Sequence, residues 1–198
     1  MTDAITVIGV LGLAYLLGSI PFGLLLSRMG GLGDIRETGS GNIGATNVLR
    51  SGNKFIAALT LLTDIAKAIV ASLVATEFVG FPTAYWAGLA ALLGHIFPVW
   101  LGFKGGKGVA VFIGTSLVIS PLPGLTLLSV WLLVAVISRR SSLAALIATI
   151  SVPIYMVVLG EVYGAMVVGV QVGVIYWVHR ENISRLIKGE EPRIGQSA

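Results

Sequence analysis

The chain has 198 residues, of which 56% are hydrophobic and 11% charged, and a mean hydropathy of +0.94. Ordinary soluble domains carry about 25% charged residues, so a purely water-soluble fold is excluded and lipid must solvate much of the surface. The formal charge of +4 lies at the ends of apolar runs rather than in a basic domain, which argues against a nucleic-acid partner, and the lack of cysteine excludes disulfides, a thiol nucleophile and Cys-based metal sites.

The first apolar run, about residues 4–27, is long enough to span a bilayer and lacks the basic leader of a signal peptide. Gly18-Ser19-Ile20-Pro21-Phe22-Gly23 kinks or loosens it, giving close packing or a route for an acyl chain.

A polar segment follows. Its Gly39-Ser40-Gly41-Asn42-Ile43-Gly44 has the letters of a dinucleotide fingerprint, but no strand or βαβ unit surrounds it. The glycines still let backbone amides converge on an anion, and a helix starting near Ala45 points its positive end the same way. Ser40, Asn42, Thr46, Asn47 and Arg50 add side-chain donors. The plainer alternative is a turn with Asn42 or Thr46 as helix cap.

The second apolar run, about 55–76, carries Asp64 and Lys67 three residues apart. Charges at membrane depth are costly, so the two are expected to neutralise each other on one helix face, with a proton path as the alternative. The third run, about 79–101, holds His95 near its inner end, expected to satisfy a backbone carbonyl, with substrate contact as the alternative.

Next comes Gly102-Phe103-Lys104-Gly105-Gly106-Lys107-Gly108. It approaches a P-loop, but the spacing fails by one residue and Gly108 stands where Ser or Thr would bind magnesium, so ATP is not implied. Two lysines around two glycines at a helix start remain a phosphate cradle.

Runs four and five, about 107–121 and 122–138, are short against the roughly 20 residues that cross a bilayer. Pro121-Leu122-Pro123-Gly124 between them predicts a tight hairpin rather than one long helix. Ser138-Arg139-Arg140-Ser141-Ser142 is an inner turn that sets topology or adds a phosphate contact. Runs six and seven, about 142–160 and 161–178, lead to His179-Arg180-Glu181-Asn182-Ile183-Ser184-Arg185. His179 and Asn182 share a helix face, with Arg185 one turn further on. His179 can act as a base, orient a neighbour or cap the seventh span. The tail after Gly189 is polar and is expected to fray.

Charge parity selects among topologies. With seven spans and the N-terminus outside, the inner segments hold Arg28, Arg36, Arg50, Lys54, Lys104, Lys107, Arg139, Arg140, Arg180, Arg185, Lys188 and Arg193, which is 12 of the 13 Lys and Arg. Merging runs four and five would move Arg139 and Arg140 outside. The expected fold is therefore an all-α integral membrane protein of seven transmembrane helices, N-terminus outside and C-terminus cytoplasmic. It forms a single polytopic domain over 1–198, with motif segments at about 36–50, 94–110 and 179–191 facing the cytoplasm. The short fourth span is expected to gain length by beginning inside the Lys104 to Gly108 motif.

Taken together, these segments resemble the bacterial acyl-phosphate:glycerol-3-phosphate acyltransferases, over nearly the whole chain. The likeness rests on Gly18-Ser19-Ile20-Pro21, Ser40-Gly41-Asn42-Ile43-Gly44-Ala45-Thr46-Asn47-Val48-Leu49-Arg50, Gly94-His95-Ile96-Phe97-Pro98, Phe103-Lys104-Gly105-Gly106-Lys107-Gly108-Val109-Ala110 and His179-Arg180-Glu181-Asn182-Ile183-Ser184-Arg185-Leu186. Val111 departs from the family's usual Thr, and Ala68 from its common Gly. The resemblance implies transfer of an acyl group from acyl phosphate to glycerol 3-phosphate in phospholipid synthesis. It implies a bacterial inner membrane, no cofactor and no metal, and a monomer without an obligatory protein partner. Ser40, Arg50, Lys104, His179 and Asn182 are then the catalytic candidates. Gly41, Asn42, Gly44, Thr46, Asn47, His95, Gly105, Gly106, Lys107, Gly108, Arg139, Ser142 and Arg185 are the substrate-binding ones. The proton of the attacking hydroxyl goes to the leaving phosphate in the favoured mechanism, to His179 in the second, and an acyl-Ser40 intermediate ranks third. The competing class, an organic-phosphate transporter, would place its site at midplane between repeats, and no repeat is evident.

Overall fold

A computed structural model describes residues 3–195, and these are helical almost throughout. The first apolar run divides into α1 (Ala4–Ser19) and α2 (Phe22–Met29). The break falls at the expected site, where Ile20 is extended and Pro21 lacks an N–H. Small residues set the packing beside it. A Cβ on Gly18 would lie 2.1 Å from the Ala91 carbonyl oxygen, and one on Gly94 would lie 2.1 Å from that of Tyr15. Glycine at these positions lets two membrane helices approach backbone to backbone.

After the polar loop come α3 (Ala45–Arg50), α4 (Lys54–Phe78) and α5 (Phe81–Ile96). The Asn53 side chain caps α4 by accepting from the Ile56 amide at 3.0 Å. The rest is α6 (Val109–Ile119), α7 (Pro121–Ser138), α8 (Ser141–Val158), α9 (Val162–Val178) and α10 (Arg180–Lys188).

Each of the seven predicted apolar runs contains a helix, but they are not equivalent. Among the described residues, five segments are long and apolar enough to cross a membrane: Ala4–Met29, Lys54–Phe78, Phe81–Leu101, Pro121–Ser138 and Ser141–Val158. α9 reaches that length only with α10, from which it is bent by 61°. α6 has 11 residues, or about 16 Å of rise against a hydrocarbon core of about 30 Å.

That helix corrects one expectation. It does not begin inside the glycine–lysine motif: residues 104–108 are irregular, and Gly108 sits at φ +81 immediately before it. Its shortness is accommodated by burial instead. Val111, Phe112, Gly114, Thr115 and Ser116 are enclosed, and α4, α5 and α7 pack around it. Lipid therefore touches little of α6, and its ends need not reach the bilayer surfaces.

Runs four and five are two helices packed on each other, as expected, and only the placement of the turn differs. The turn between α6 and α7 is a single extended residue, Ser120, and Pro121 to Gly124 form the first turn of α7. Proline is favoured there because the first helical N–H has no intrahelical partner. Gly124 lets that turn press on α6, where a Cβ would meet the Leu117 backbone at 2.8 Å.

Large apolar side chains such as Ile5, Leu62, Leu132, Val136, Ile137, Val158 and Met166 are exposed around the outside. So much apolar surface on a folded chain fits lipid as the solvent.

Candidate functional site

The polar segments meet at one end of the bundle, and each is shaped by buried hydrogen bonds. In the first, Asp34 accepts from Arg36 and Arg28 and closes the loop after α2. The Arg36 guanidinium holds its carboxyl well below the usual range. Asn47 then acts as a clasp. Its Oδ1 accepts from the Ser40 amide at 2.9 Å and the Ser40 hydroxyl at 3.2 Å, while its Nδ2 donates to the carbonyls of Ile35 and Thr38. A buried amide so fully engaged shapes the loop. Gly39 and Gly41 adopt left-handed φ values of +56 and +68, which only glycine takes without strain. The helix near Ala45 is present as α3, capped by Gly44 without a side-chain bond, and Asn42 accepts from the Gly44 amide. Arg50 ends α3 with its Nε buried and unpartnered. Thr46 bonds Ser141 at 3.1 Å, joining this segment to the turn between α7 and α8.

The second segment folds back on α5. The Gly105 amide donates to the Ile96 carbonyl and the Gly106 amide to that of His95, each at 3.0 Å. These satisfy carbonyls that the helix end leaves orphaned. The two amides expected to cradle an anion are thus occupied, and the glycines serve close approach: a Cβ on Gly106 would lie 2.0 Å from His95 Nε2. Gly108 likewise presses on Leu92. His95 itself is buried, and its Nδ1 meets the Lys67 ammonium at 3.0 Å rather than the expected backbone carbonyl. Lys67 forms the expected pair with Asp64 at 2.7 Å.

Lys104 is exposed, whereas Lys107 turns inward and hydrogen-bonds Asn182 Oδ1. Burial pushes the Lys107 ammonium below its ordinary pKa, opposed by Glu191 and assisted by the charges of Arg185 and Arg50. Cations of all three motif segments therefore share one electrostatic neighbourhood.

The third segment is the bent junction of α9 and α10. His179 occupies the corner, 3% exposed, with Nδ1 2.8 Å from the Ile175 carbonyl. A carbonyl only accepts, so Nδ1 carries the ring proton and Nε2 keeps a lone pair. Burial pulls the His179 pKa down to about 4, helped by the Lys107 charge and opposed by the Ile175 bond and by Glu191. The imidazole is neutral at physiological pH.

The tail corrects another expectation, since residues 190–195 do not fray, while residues 196–198 of it lie outside the described residues. The Ile194 amide donates to the Arg139 carbonyl at 2.6 Å, and Arg140 Nε donates to the Glu191 carbonyl at 3.3 Å. Glu191 turns inward beside Ser142, Asn182 and Arg185, bonding all three. Sequence reasoning missed this residue, because one glutamate in a polar tail carries no signal. The Arg139 side chain stays exposed at the margin. What the structure gathers is a cationic, amide-bearing cluster of Arg50, Lys107, Asn182, Ser142 and His179, while Ser40 and Lys104 are exposed on the loops that precede α3 and α6.

Known proteins with similar sequences and structures fit this geometry. The family model for glycerol-3-phosphate acyltransferase matches residues 8–189, ending just before Glu191. Among curated relatives, the glycerol-3-phosphate acyltransferase of Maricaulis maris is 55% identical over 98% of this chain and 90% of its own length. That of Agrobacterium fabrum is 55% identical over 99% of this chain and 98% of its own. The crystal structure of PlsY (YgiH), an integral membrane glycerol 3-phosphate acyltransferase, in its glycerol 3-phosphate form superposes with a TM-score of 0.90 at 40% identity, covering 96% of each chain.

Proposed function

The chain belongs to the glycerol-3-phosphate acyltransferase family and is an acyltransferase, and on that premise we propose that it acylates the 1-hydroxyl of glycerol 3-phosphate from an acyl phosphate. The products are 1-acyl-glycerol 3-phosphate and inorganic phosphate. In this reading the chain is a single monomeric domain of the bacterial inner membrane, crossing seven times with its N-terminus outside. The site then faces the cytoplasm, where both phosphate-bearing substrates arrive.

One observation carries the reading: Lys107 bonds Asn182 within electrostatic reach of Arg50, whose Nε is unpartnered, and of His179, whose Nε2 keeps a lone pair. Cations for phosphate and acceptors for a hydroxyl are thereby side by side, as transfer from an acyl phosphate to an alcohol requires. Arg50, Lys104 and Lys107 hold the phosphates. Ser40 and Asn42 lie against the acyl phosphate, and His179 and Asn182 orient the glycerol hydroxyl.

The hydroxyl oxygen attacks the acyl carbonyl carbon, and the bond from that carbon to the phosphate oxygen breaks. The departing phosphate takes the hydroxyl proton. A histidine with a pKa near 4 is a weak base, which supports the phosphate as acceptor and His179 as the group that aligns the O–H. The donor is already activated, so no nucleotide enters. Among the described residues no group of three His, Asp or Glu side chains converges as a metal site.

The test is phosphate release by purified protein in detergent. Acyl phosphate with glycerol 3-phosphate should give stoichiometric phosphate and lysophosphatidic acid. Failure to form the ester from these two substrates would overturn the proposal.

A further inference from the structure

The chain leaves α10 through Gly189 in the left-handed region, φ +77, and the Glu190 amide closes on the Arg185 carbonyl at 2.8 Å. This turn sends residue 191 back over α10. The Glu191 side chain is 4% exposed. Its Oε1 accepts from Ser142 Oγ at 2.7 Å and Asn182 Nδ2 at 2.6 Å, and its Oε2 accepts from Arg185 Nε at 2.7 Å. One carboxylate thus joins the third motif to the start of α8 and, through Asn182, to Lys107 of the second motif.

This arrangement fixes polarity as well as position. The two ends of an asparagine amide have similar shape and opposite hydrogen-bonding character. Only one orientation gives an N–H to Glu191 and an oxygen to Lys107. A serine hydroxyl that donates to a carboxylate has only lone pairs left to offer. Arg185, paired with Glu191, is withdrawn from substrate phosphate, which leaves Arg50, Lys104 and Lys107 for that task.

We propose that Glu191 is a positioning residue for the acceptor alcohol: it locks Asn182 and Ser142 so that they face the substrate hydroxyl with acceptor oxygens. The inference rests on the acyl-transfer reading above, with glycerol 3-phosphate as the alcohol. The rival arrangement makes the carboxylate a stand-in for phosphate, displaced when substrate binds. The backbone opposes it, because Glu191 is held by Arg140 and its neighbours by the carbonyls of Arg185 and Arg139.

The experiment uses full-length protein in detergent with acyl phosphate and glycerol 3-phosphate. Wild-type turnover is measured first, and its absence would sink the acyl-transfer reading itself. Given turnover, Glu191→Gln puts an amide opposite Arg185 and should lower kcat/KM for glycerol 3-phosphate by about 10–100-fold. The loss should lie mainly in KM for that substrate, with KM for acyl phosphate within about twofold of wild type. In an Asn182→Ala background the same substitution should cost less than about threefold more, because the two act as one unit. A merely structural role would move both KM values and give additive losses, either of which overturns the proposal. So does wild-type behaviour, and so does a lower KM for glycerol 3-phosphate, the mark of a displaced stand-in. Should Glu191→Gln not fold, Arg185→Gln takes its place, with the same split and the same non-additivity expected.

Discussion

Lys67 on α4 reaches across to α5 and donates to Nδ1 of His95 at 3.0 Å. The same ammonium donates to the Ile20 carbonyl at the break in the first span, 2.9 Å away, and pairs with Asp64 at 2.7 Å. An ammonium only donates, so Nδ1 of His95 accepts. The His95 ring proton therefore lies on Nε2, beneath Gly106. One buried cation connects the helix break, two spanning helices and the loop that carries Lys104 and Lys107.

Removing that cation strands a carboxylate. Lys67→Met should destabilise the protein by about 3–5 kcal/mol, the usual result of leaving one member of a buried pair unmatched. Asp64→Asn combined with Lys67→Met should recover part of the loss. Thermal unfolding of purified protein in detergent measures both, and a single variant as stable as wild type would contradict the geometry.

Gly106→Ala tests the coupling from His95 to the loop. Its Cβ would lie 2.0 Å from Nε2, so loop or ring must move. Misplacement by about 1 Å at a reacting site costs on the order of 100-fold. The expected outcome is such a fall in kcat/KM with only a modest change in unfolding temperature. Full activity would mean that the loop tolerates displacement.

His179 gives the pH dependence. Its folded pKa of about 4 lies below its ordinary 6.5, so the unfolded chain takes up the proton first as pH falls. The stability it contributes is complete above about pH 6.5 and is lost progressively down to about pH 4. Activity should show no limb near pH 6.5 from this residue. His179→Gln should keep a measurable rate and the wild-type acidic limb, with its loss seen as a raised KM for glycerol 3-phosphate. Arg50→Ala should be the more damaging of the two, because it strips charge from a phosphate during transfer. A His179→Gln protein that binds both substrates normally and does not turn over would make His179 the base.

Topology can be read by labelling, since the chain has no cysteine. Single cysteines at Ser51 and Glu77, exposed beyond and near the two ends of α4, should differ in reaction with an impermeant reagent. Glu77→Cys should label from outside intact cells and Ser51→Cys only after lysis. Equal labelling of both from outside would rule out the proposed orientation.

Donor chemistry offers one more check. Turnover with acyl phosphate should survive a chelator and need no nucleotide. Loss on chelation, restored by magnesium, would require a different mechanism.

Much of this was legible along the chain. The apolar runs, the break at Ile20 and Pro21, the pairing of Asp64 with Lys67 and the short helix from Ala45 follow from local rules. Helix period, proline, burial cost and glycine turns act over a few residues, so the sequence carries them openly. The convergence of three motifs could be expected from charge parity and resemblance.

Tertiary structure alone decided the rest. It enclosed α6, an 11-residue helix too short to cross lipid alone, among α4, α5 and α7. It used the amides of Gly105 and Gly106 to close α5, gave His95 a lysine for a partner, and folded the tail inward to place Glu191 on Asn182. Those outcomes depend on which groups far apart in sequence become close in space. A hydrogen bond between residues 67 and 95, or 142 and 191, leaves no periodic trace in the chain. Composition and spacing report each helix's solvent and each turn's geometry, whereas the partner of a buried polar atom is set only when the helices pack.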